Sequence, residues 1–515
     1  MARSLFGVET EYAVTALNRW GSDVDRETFI ERLLERARAK LVHLIDAQAI
    51  GMFLENGSRF YVDHGHHPEL ATPECSDPRE VVRYILAGER IVAELAREAG
   101  SNWSEIEKVL VFKGNVDYSG SLATWGCHES YLYRCPPADL RDQIVPHLVS
   151  RLIYTGAGGF DSGAPGVEFT LSPRVAHLAG AFSDDSTQSR GIFHSKDEAL
   201  SGEGYHRLHV ICGESLCSER AMWLKTGTTA LVVAMIDAGL RPGDGAHLQD
   251  PILAMRTFAA DPACTERVAL ANGRTASALM IQHHYLKQVE AHLRAAFMPS
   301  WAEELCEEWR RTLDGLREDP KTLSKTLDWT IKYALYTDRA RRHGFTWDRL
   351  REWSELSAEA ARTDSAGVSG SPARRLLKER GFTRENVHAL GKLRQELFEI
   401  DTLFGELGGS GIFSSLERAG VLEHSVPGLG PIDAARTQPP ESGRAKRRGE
   451  LVRRFAGQGS RYRCDWGYIW DLVDERVADL REPFEERETW RGWSEVRGGT
   501  PLPETFWPFR DRYCG

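Results

Sequence analysis

The chain has 515 residues, of which 41% are hydrophobic and 27% charged, a globular composition with enough length for two or three domains. Its formal charge of −10 at pH 7 argues against general affinity for nucleic acid. The nine cysteines are scattered without a C-x-x-C pair, and no apolar run reaches the roughly 18 residues of a membrane span, so we expect a cytoplasmic protein with reduced thiols and no nucleic-acid or membrane partner.

Two strand-like segments near the start carry polar residues on one face. Residues 5–14 alternate as a strand does, which places Glu9 and Glu11 together on one side. A helix is predicted over 26–41. Residues 52–63 then form two strand-like runs around an Asn-Gly pair that favours a tight hairpin turn.

The rest of the chain divides into a strand-rich and a helix-rich part. Alternation predicts further strands over 108–113, 131–134, 166–171 and 207–212. Helical spacing predicts helices over 81–95, 223–238, 277–296, 301–316 and 323–342. We therefore expect an α+β fold.

The composition also suggests domain boundaries. We predict a large catalytic domain over 1–425, with 345–400 as a diverged insertion or loop region. Within it, 356–375 are rich in Ala, Ser, Gly and charge, which predicts a mobile insertion or surface loop. The whole insertion, 345–400, is either such a solvated loop or an element that docks a partner. A Pro- and Gly-rich break precedes a small C-terminal domain, 445–490, and a poorly packed tail, 491–515.

The candidate chemistry lies on the early strands. In the second hairpin run Arg59, Tyr61 and Asp63 share a face, and Glu69, Thr72 and Glu74 follow. Alternating acids alone are common on exposed strands. Together with Glu9 and Glu11, however, these residues form a dense set of hard oxygen donors, the ligands that Mg²⁺ prefers when it holds nucleotide phosphates.

A second group of candidates lies on later strands. Arg207 and His209 share a face of 205–211, and His128 lies near another strand start. A lone histidine is more often a hydrogen-bonded core residue than a ligand. Arg207 suits a phosphate clamp, because a guanidinium group makes planar bidentate contacts.

Seven segments carry a resemblance to a known family. They are 7–12, 56–63, 67–75, 126–132, 207–211, 224–231 and 327–329. In this order they resemble the successive blocks of the Pup ligase and Pup deamidase-depupylase family, a branch of the glutamine-synthetase-like carboxylate-amine ligases. The resemblance implies a curved, mainly antiparallel sheet backed by helices, with a small C-terminal domain at one end.

The resemblance also implies roles for the candidate residues. The implied magnesium ligands are Glu9, Tyr61 and Glu69, with Glu11, His128 and His209 as further candidates. The implied ATP contacts are Arg59, Thr72 and, from the C-terminal domain, Trp466, beside Arg207 as phosphate clamp. Asp63 is implied as the catalytic base.

The implied reaction is ATP- and Mg²⁺-dependent ligation. ATP converts the side-chain carboxylate of the C-terminal Glu of a Pup-like protein to an acyl phosphate, which a lysine amine of a target protein attacks. The short interval from Glu11 to Asn56 favours the ligase branch, whereas 61–64 read more like the deamidase branch. A depupylase or deamidase, or a carboxylate-amine ligase for another substrate, therefore stays open as an alternative.

Overall fold

The computed structural model describes residues 4–495 except for 48–49, 64, 122, 165, 186–188, 195, 197 and 366–371. The strands are β1 (Phe6–Glu11), β2 (Ala13–Asn18), β3 (His43–Ile45), β4 (Gly51–Leu54), β5 (Arg59–Val62), β6 (Pro68–Ala71), β7 (Ile106–Phe112), β8 (Cys127–Tyr133), β9 (Gly159–Phe160), β10 (Phe169–Thr170), β11 (Gly180–Ser183), β12 (Gly191–His194), β13 (His206–Val210), β14 (Arg267–Ala269), β15 (Thr275–Ser277), β16 (Tyr462–Cys464), β17 (Tyr468–Asp471), β18 (Arg476–Asp479) and β19 (Trp490–Gly492).

The helices account for most of the remaining chain. They are α1 (Arg26–Lys40), α2 (Pro78–Ser101), α3 (Pro137–Ser150), α4 (Leu152–Thr155), α5 (Glu219–Asp237), α6 (Pro251–Ala259), α7 (Ala278–Glu290), α8 (Ala302–Glu318), α9 (Asp328–Arg342), α10 (Trp347–Ser365), α11 (Pro372–Glu379), α12 (Arg384–Phe404), α13 (Ile412–Arg418) and α14 (Gly443–Phe455). In the described part of the chain, none of them is long and apolar enough to cross a bilayer.

A nine-stranded sheet organises the fold, in the order β11-β12-β13-β8-β1-β6-β5-β4-β3. Its neighbouring strands pair antiparallel, except that β11 and β12 are parallel. On one face Val8, Tyr131 and Leu208 belong to a large apolar core that also takes in residues of α2 and α5. The opposite face carries the polar residues, as the two-residue period of a strand requires. The expected α+β fold with a mainly antiparallel sheet backed by helices is confirmed.

The first predicted strand, 5–14, is two strands. β1 ends at Glu11, and β2 leaves the large sheet to pair with β7 in a sheet of its own. The break is at Tyr12, which is 1% exposed and whose backbone N–H donates to the carbonyl of Pro68. Of the predicted strand 166–171, only β10 pairs with another strand.

The prediction of a loop over 356–375 is wrong for most of that range. Residues 356–365 continue α10, and α11 begins at Pro372, whereas 366–371 lie outside the described residues. Leu350, Trp353 and Leu390 are buried in a separate apolar cluster that α9 and α12 complete. The segment is therefore held by its own small core, which its polar composition conceals.

The C-terminal segment packs against the β3 edge of the large sheet. It contains α14 and the four-stranded sheet β16-β17-β18-β19. Leu44 and Phe53 of the large sheet share one apolar cluster with Leu451 and Ile469. A separate domain over 445–490 stays a prediction. The expected tail is structured at its start, because β19 pairs with β18 and Trp493 packs on Trp470 and its neighbours, whereas 496–515 lie outside the described residues.

Candidate active site

The hairpin turn between β4 and β5 sets the register of the polar face. Gly57 has φ +82°, a left-handed conformation that glycine adopts without strain. Ser58 N–H donates to the Asn56 side chain at 3.0 Å, and Leu54 N–H donates to the Ser58 carbonyl. Phe60 consequently pairs with Met52 on the apolar face, and Arg59 and Tyr61 point the other way.

A row of acidic and basic side chains crosses this polar face. Tyr61 pairs with Glu69 across β5 and β6, and Glu69 pairs with Glu11 across β6 and β1. Glu9 pairs with His128 across β1 and β8. Residues directly opposite each other in a sheet project to the same side. The sheet therefore gathers residues that lie up to 119 positions apart in the sequence, from Glu9 to His128.

Glu9 is the centre of one cluster. Its carboxylate lies 3.7 Å from His128 Nδ1, 3.5 Å from His209 Nε2 and 3.8 Å from Arg207 Nη2. Burial opposes ionisation, but these neighbours hold the pKa of Glu9 well below its usual value. Burial and the charge of Arg207 lower the pKa of His209 to about 3, so its imidazole is neutral at pH 7 and has a lone pair for a metal.

Glu11 is the centre of a second cluster with Asp63 and His67. His67 Nδ1 lies 3.7 Å from the carboxylate of each acid, and the Asp63 carboxylate accepts the backbone N–H of His67 at 2.7 Å. Despite burial, the neighbouring carboxylates of Asp63 and Glu11 raise the pKa of His67 to about 9. Despite burial, His67 and its other partners lower the pKa of Glu11 to about 2.

Glu69 lies between these clusters and is 5% exposed. Burial, together with the negative charges of Glu9 and Glu11, raises its pKa well above the usual value. Three carboxylates this close repel one another unless a cation is shared between them. Oxygen donors of this kind, with Tyr61 beside them, fit a hard divalent cation such as Mg²⁺.

A cavity opens beside the Glu9 end of the row. Its walls include three of the four residues predicted to contact ATP, which are Thr72, Arg207 and Trp466. The Thr72 hydroxyl accepts the backbone N–H of Val8 at 3.0 Å. Trp466 stands edge-on to Phe53 with ring centroids 5.0 Å apart. The wall thus combines residues of the large sheet with one from the C-terminal segment.

Arg59, the fourth predicted ATP contact, is not among the residues that line this cavity. Its guanidinium group pairs with the buried Asp46 at 2.7 Å and lies 4.2 Å from the centre of the Tyr61 ring. The structure therefore places Arg59 beside a predicted metal ligand. Asp46 is a supporting residue that the sequence patterns did not reveal.

A second opening lies at the other end of the row. This cleft has His67, Trp125 and Pro173 among its walls, with residues of β2, β7, α9 and α12. The ring of His67 lies 5.6 Å from that of Trp125. One opening therefore borders Glu9, and the other borders His67, which contacts Glu11.

Glu74, which the sequence grouped with the oxygen ligands, belongs elsewhere. It forms ion pairs with Arg444 at 2.6 Å and with Arg448. These arginines are four residues apart on α14, so both reach the same carboxylate. Glu74 therefore joins the C-terminal segment to the sheet. That basic spacing on one helix is the signal that could have predicted the pairing.

His67 is the main site residue without a predicted role. It falls within one of the segments that carry the resemblance, yet its contacts with Glu11 and Asp63 depend on the turn between β5 and β6. The structure brings together Glu9, His128, His209 and Arg207 in one cluster and Glu11 and Asp63 in another.

Comparisons with known proteins agree with this architecture. The family model described as Pup-ligase protein matches residues 4–357. The Pup–protein ligases of Actinosynnema mirum and Rhodococcus erythropolis are each 31% identical over 498 residues, covering 94% of this chain and 97% of the relative.

Two solved structures share the fold of this chain. The crystal structure of the complex between the prokaryotic ubiquitin-like protein Pup and its ligase PafA matches with a TM-score of 0.74 at 25% identity, over 94% of this chain and 90% of that one. The structure of the Pup ligase PafA in complex with ADP matches with a TM-score of 0.67 at 23% identity, over 95% and 96%.

Proposed function

The chain belongs to the Pup ligase family, and from that premise we propose that it joins a Pup-like protein to lysines of target proteins at the expense of ATP. The bond formed is an isopeptide between the side-chain carboxylate of a C-terminal Glu and a lysine amine. The other products are ADP and phosphate. The observation that carries the proposal is the acidic row, with an opening at each end for two different substrates.

The hydrolytic alternative is not favoured. The family model and the curated relatives that match this chain carry the description of ligases. A lysine-bearing protein is the acceptor that follows from this assignment. A cytoplasmic location stays a prediction.

The nucleotide is assigned to the cavity beside Glu9. A guanidinium group recognises phosphate oxygens, and Arg207 supplies one in the cavity wall. Thr72 supplies a hydroxyl and Trp466 an aromatic edge for the nucleotide. Arg59 would act less directly, because it is tied to Asp46 and Tyr61.

Magnesium is assigned to the acidic row. Glu9, Glu69 and Tyr61 are the proposed ligands, with Glu11, His128 and His209 within the same two clusters or next to them. When bound, Mg²⁺ neutralises negative charge on the phosphoryl group that is transferred. The raised pKa of Glu69 supports this assignment, because burial and two neighbouring carboxylates oppose its ionisation unless a cation lies among them.

Asp63 is the proposed general base. A lysine amine has an ordinary pKa of about 10.4 and must lose a proton before it attacks. The carboxylate of Asp63 is fixed by the backbone N–H of His67 at 2.7 Å and stays 24% exposed. His67 orients this carboxylate and separates it from Glu11.

The test combines the purified chain with Mg-ATP, a Pup-like protein ending in Glu and a lysine-bearing acceptor. We expect conjugate and ADP in equal amounts, no product after Mg²⁺ is chelated, and a loss of about 10²- to 10⁴-fold in Asp63→Asn with ADP binding retained. Asp23→Asn, an exposed acid that also borders the cleft near His67, is the matched control. Cleavage of preformed conjugate without stoichiometric ADP would instead assign the protein to the hydrolytic branch.

A further inference from the structure

Directly after β3 lies a buried acid with contacts to three parts of the molecule. Asp46 is 1% exposed and forms a parallel bridge with Cys464 of the C-terminal segment. Its backbone N–H donates to the Gly51 carbonyl at 3.0 Å, and its carboxylate accepts the backbone N–H of Ile50 at 3.1 Å. Both bonds tie Asp46 to the start of β4. A carboxylate this deeply buried costs free energy unless its oxygens are hydrogen-bonded, and Arg59 supplies the remaining donors.

The Asp46 carboxylate fixes the guanidinium group of Arg59. Arg59 Nε and Nη2 donate to the same carboxylate oxygen at 3.1 and 2.7 Å. The Arg59 side chain is 14% exposed and that of Asp46 only 2%, so the pair is largely shielded from water. Charge-assisted bonds from two N–H groups restrict the tilt of the guanidinium plane as well as its position.

Arg59 in turn lies on the ring of Tyr61, one of the proposed magnesium ligands. The guanidinium carbon is 4.2 Å from the centre of that ring, within the range of a cation–π contact. From β4, Gly51 pairs with Tyr61 so closely that a Cβ atom on Gly51 would lie 2.4 Å from the Cβ of Tyr61. The guanidinium group and the bare backbone of Gly51 therefore both confine Tyr61, and Asp46 is bonded to each of them.

This arrangement also reaches the nucleotide cavity. Ala47 N–H donates to the Cys464 carbonyl at 2.9 Å, two residues before Trp466 in the cavity wall. Trp466 stands edge-on to Phe53, and the Arg59 guanidinium carbon lies 5.8 Å from the centre of the Phe53 ring. Arg59 therefore lies between this aromatic pair and the acidic row.

We propose that Asp46 is a positioning residue for the magnesium site, and that it holds the Tyr61 phenol in the acidic row through Arg59. The inference rests on the proposed function and adds to it a residue that acts at a distance. In the described part of the chain, Asp46 lies in the wall of neither opening, so it acts only through the residues that it holds. Partners that orient metal ligands in this way commonly affect metal affinity by about 10- to 100-fold.

The experiment measures the affinity of the full chain for ADP by calorimetry, once in EDTA and once in saturating Mg²⁺. The ratio of the two affinities reports how well the acidic row holds the cation beside the nucleotide. The proteins are the wild type, Asp46→Asn, Arg59→Lys, the double variant and the control Asp471→Asn. Asp471 is likewise a buried acid whose carboxylate pairs with an arginine at 2.7 Å, but it lies on β17 and its partner is Arg461.

We expect Mg²⁺ to tighten ADP binding to the same extent in the wild type and in Asp471→Asn. In Asp46→Asn and in Arg59→Lys the ratio should fall about 10- to 100-fold, while the affinity in EDTA stays within about twofold of the wild type. The double variant should be no worse than the worse of the two single variants, because both substitutions break the same interaction.

Three results would overturn the inference. The ratio in Asp46→Asn could equal that of the wild type, or the losses of the single variants could add in the double variant. The affinity in EDTA could also fall as much as that in Mg²⁺, which a structural role or a direct nucleotide contact requires.

Two further outcomes are distinguishable from these. Should Asp46→Asn fail to fold, Arg59→Lys carries the test by itself, because its side chain is partly exposed, and an unchanged ratio there overturns the inference. If the ratios change as expected but the wild type forms no conjugate, the proposed function fails while the role of Asp46 holds.

Discussion

Replacing Glu74 with Gln tests how the C-terminal segment is held on the catalytic sheet. Although burial alone would raise it, the charges of Arg448 and Arg444 lower the pKa of Glu74 from 4.5 to about 2. This lowering corresponds to about 3 kcal/mol of stabilisation at neutral pH. The Arg448 side chain is 0% exposed, and the substitution would leave its charge without a carboxylate. Breaking one partner of a buried pair costs about 3 to 5 kcal/mol.

The assay is the free energy of unfolding in urea, together with hydrogen-exchange protection of α14 and β16–β18. We expect Glu74→Gln to lose about 3 to 5 kcal/mol and to lose protection first in those elements. Glu55→Gln is the matched control, because Glu55 pairs with Arg453 of the same helix at 2.8 Å, and Arg453 is 42% exposed, whereas Arg448 is 0% exposed. A pair with an exposed partner contributes about 0 to 1 kcal/mol. Equal, small losses in both variants would refute the reasoning.

Three further predictions follow from the same contacts. The difference in unfolding free energy between wild type and Glu74→Gln should be full above pH 4.5 and shrink as the pH falls towards 2, because a lowered folded-state pKa stabilises the fold only while the carboxylate is ionised. Urea unfolding at several pH values measures this difference, and a constant difference would contradict the prediction. Asp401→Asn should lower the free energy of unfolding by about 3 to 5 kcal/mol, because the Asp401 carboxylate accepts hydrogen bonds from Tyr118, Tyr336 and the buried Lys332 at 2.6 to 2.7 Å. Thermal unfolding measures the loss, and an unchanged melting curve would argue against that network. Trp466→Ala should weaken ADP binding about tenfold in calorimetry and leave binding of the Pup-like peptide intact, whereas equal weakening of both ligands would place Trp466 outside the nucleotide site.

The separate strands of the site were predictable because a strand alternates its side chains with a period of two. That period placed Glu9 with Glu11 and Arg59 with Tyr61 before any pairing was known. The Asn56-Gly57 turn also fixed the register of β4 and β5 from local chemistry. The helices that back the sheet followed from their apolar spacing.

Local patterns failed where long-range packing decided the outcome. The polar segment 356–365 is helical because Leu350 and Trp353 find partners on α9 and α12. The chain leaves the large sheet at Tyr12 because the peptide there bonds to Pro68. Neither partner is close in sequence, so no local signal could show it.

The sequence by itself determined the types of residue, the strand faces on which they lie and the family that their order resembles. Only the tertiary structure decided which of these residues meet. It placed Glu9 with His128 and His209, and it moved Glu74 from the metal ligands to the arginines of α14. The reason is that strand period is a property of neighbouring residues, whereas pairing across β5, β6, β1, β8 and β13 depends on how the whole sheet is assembled.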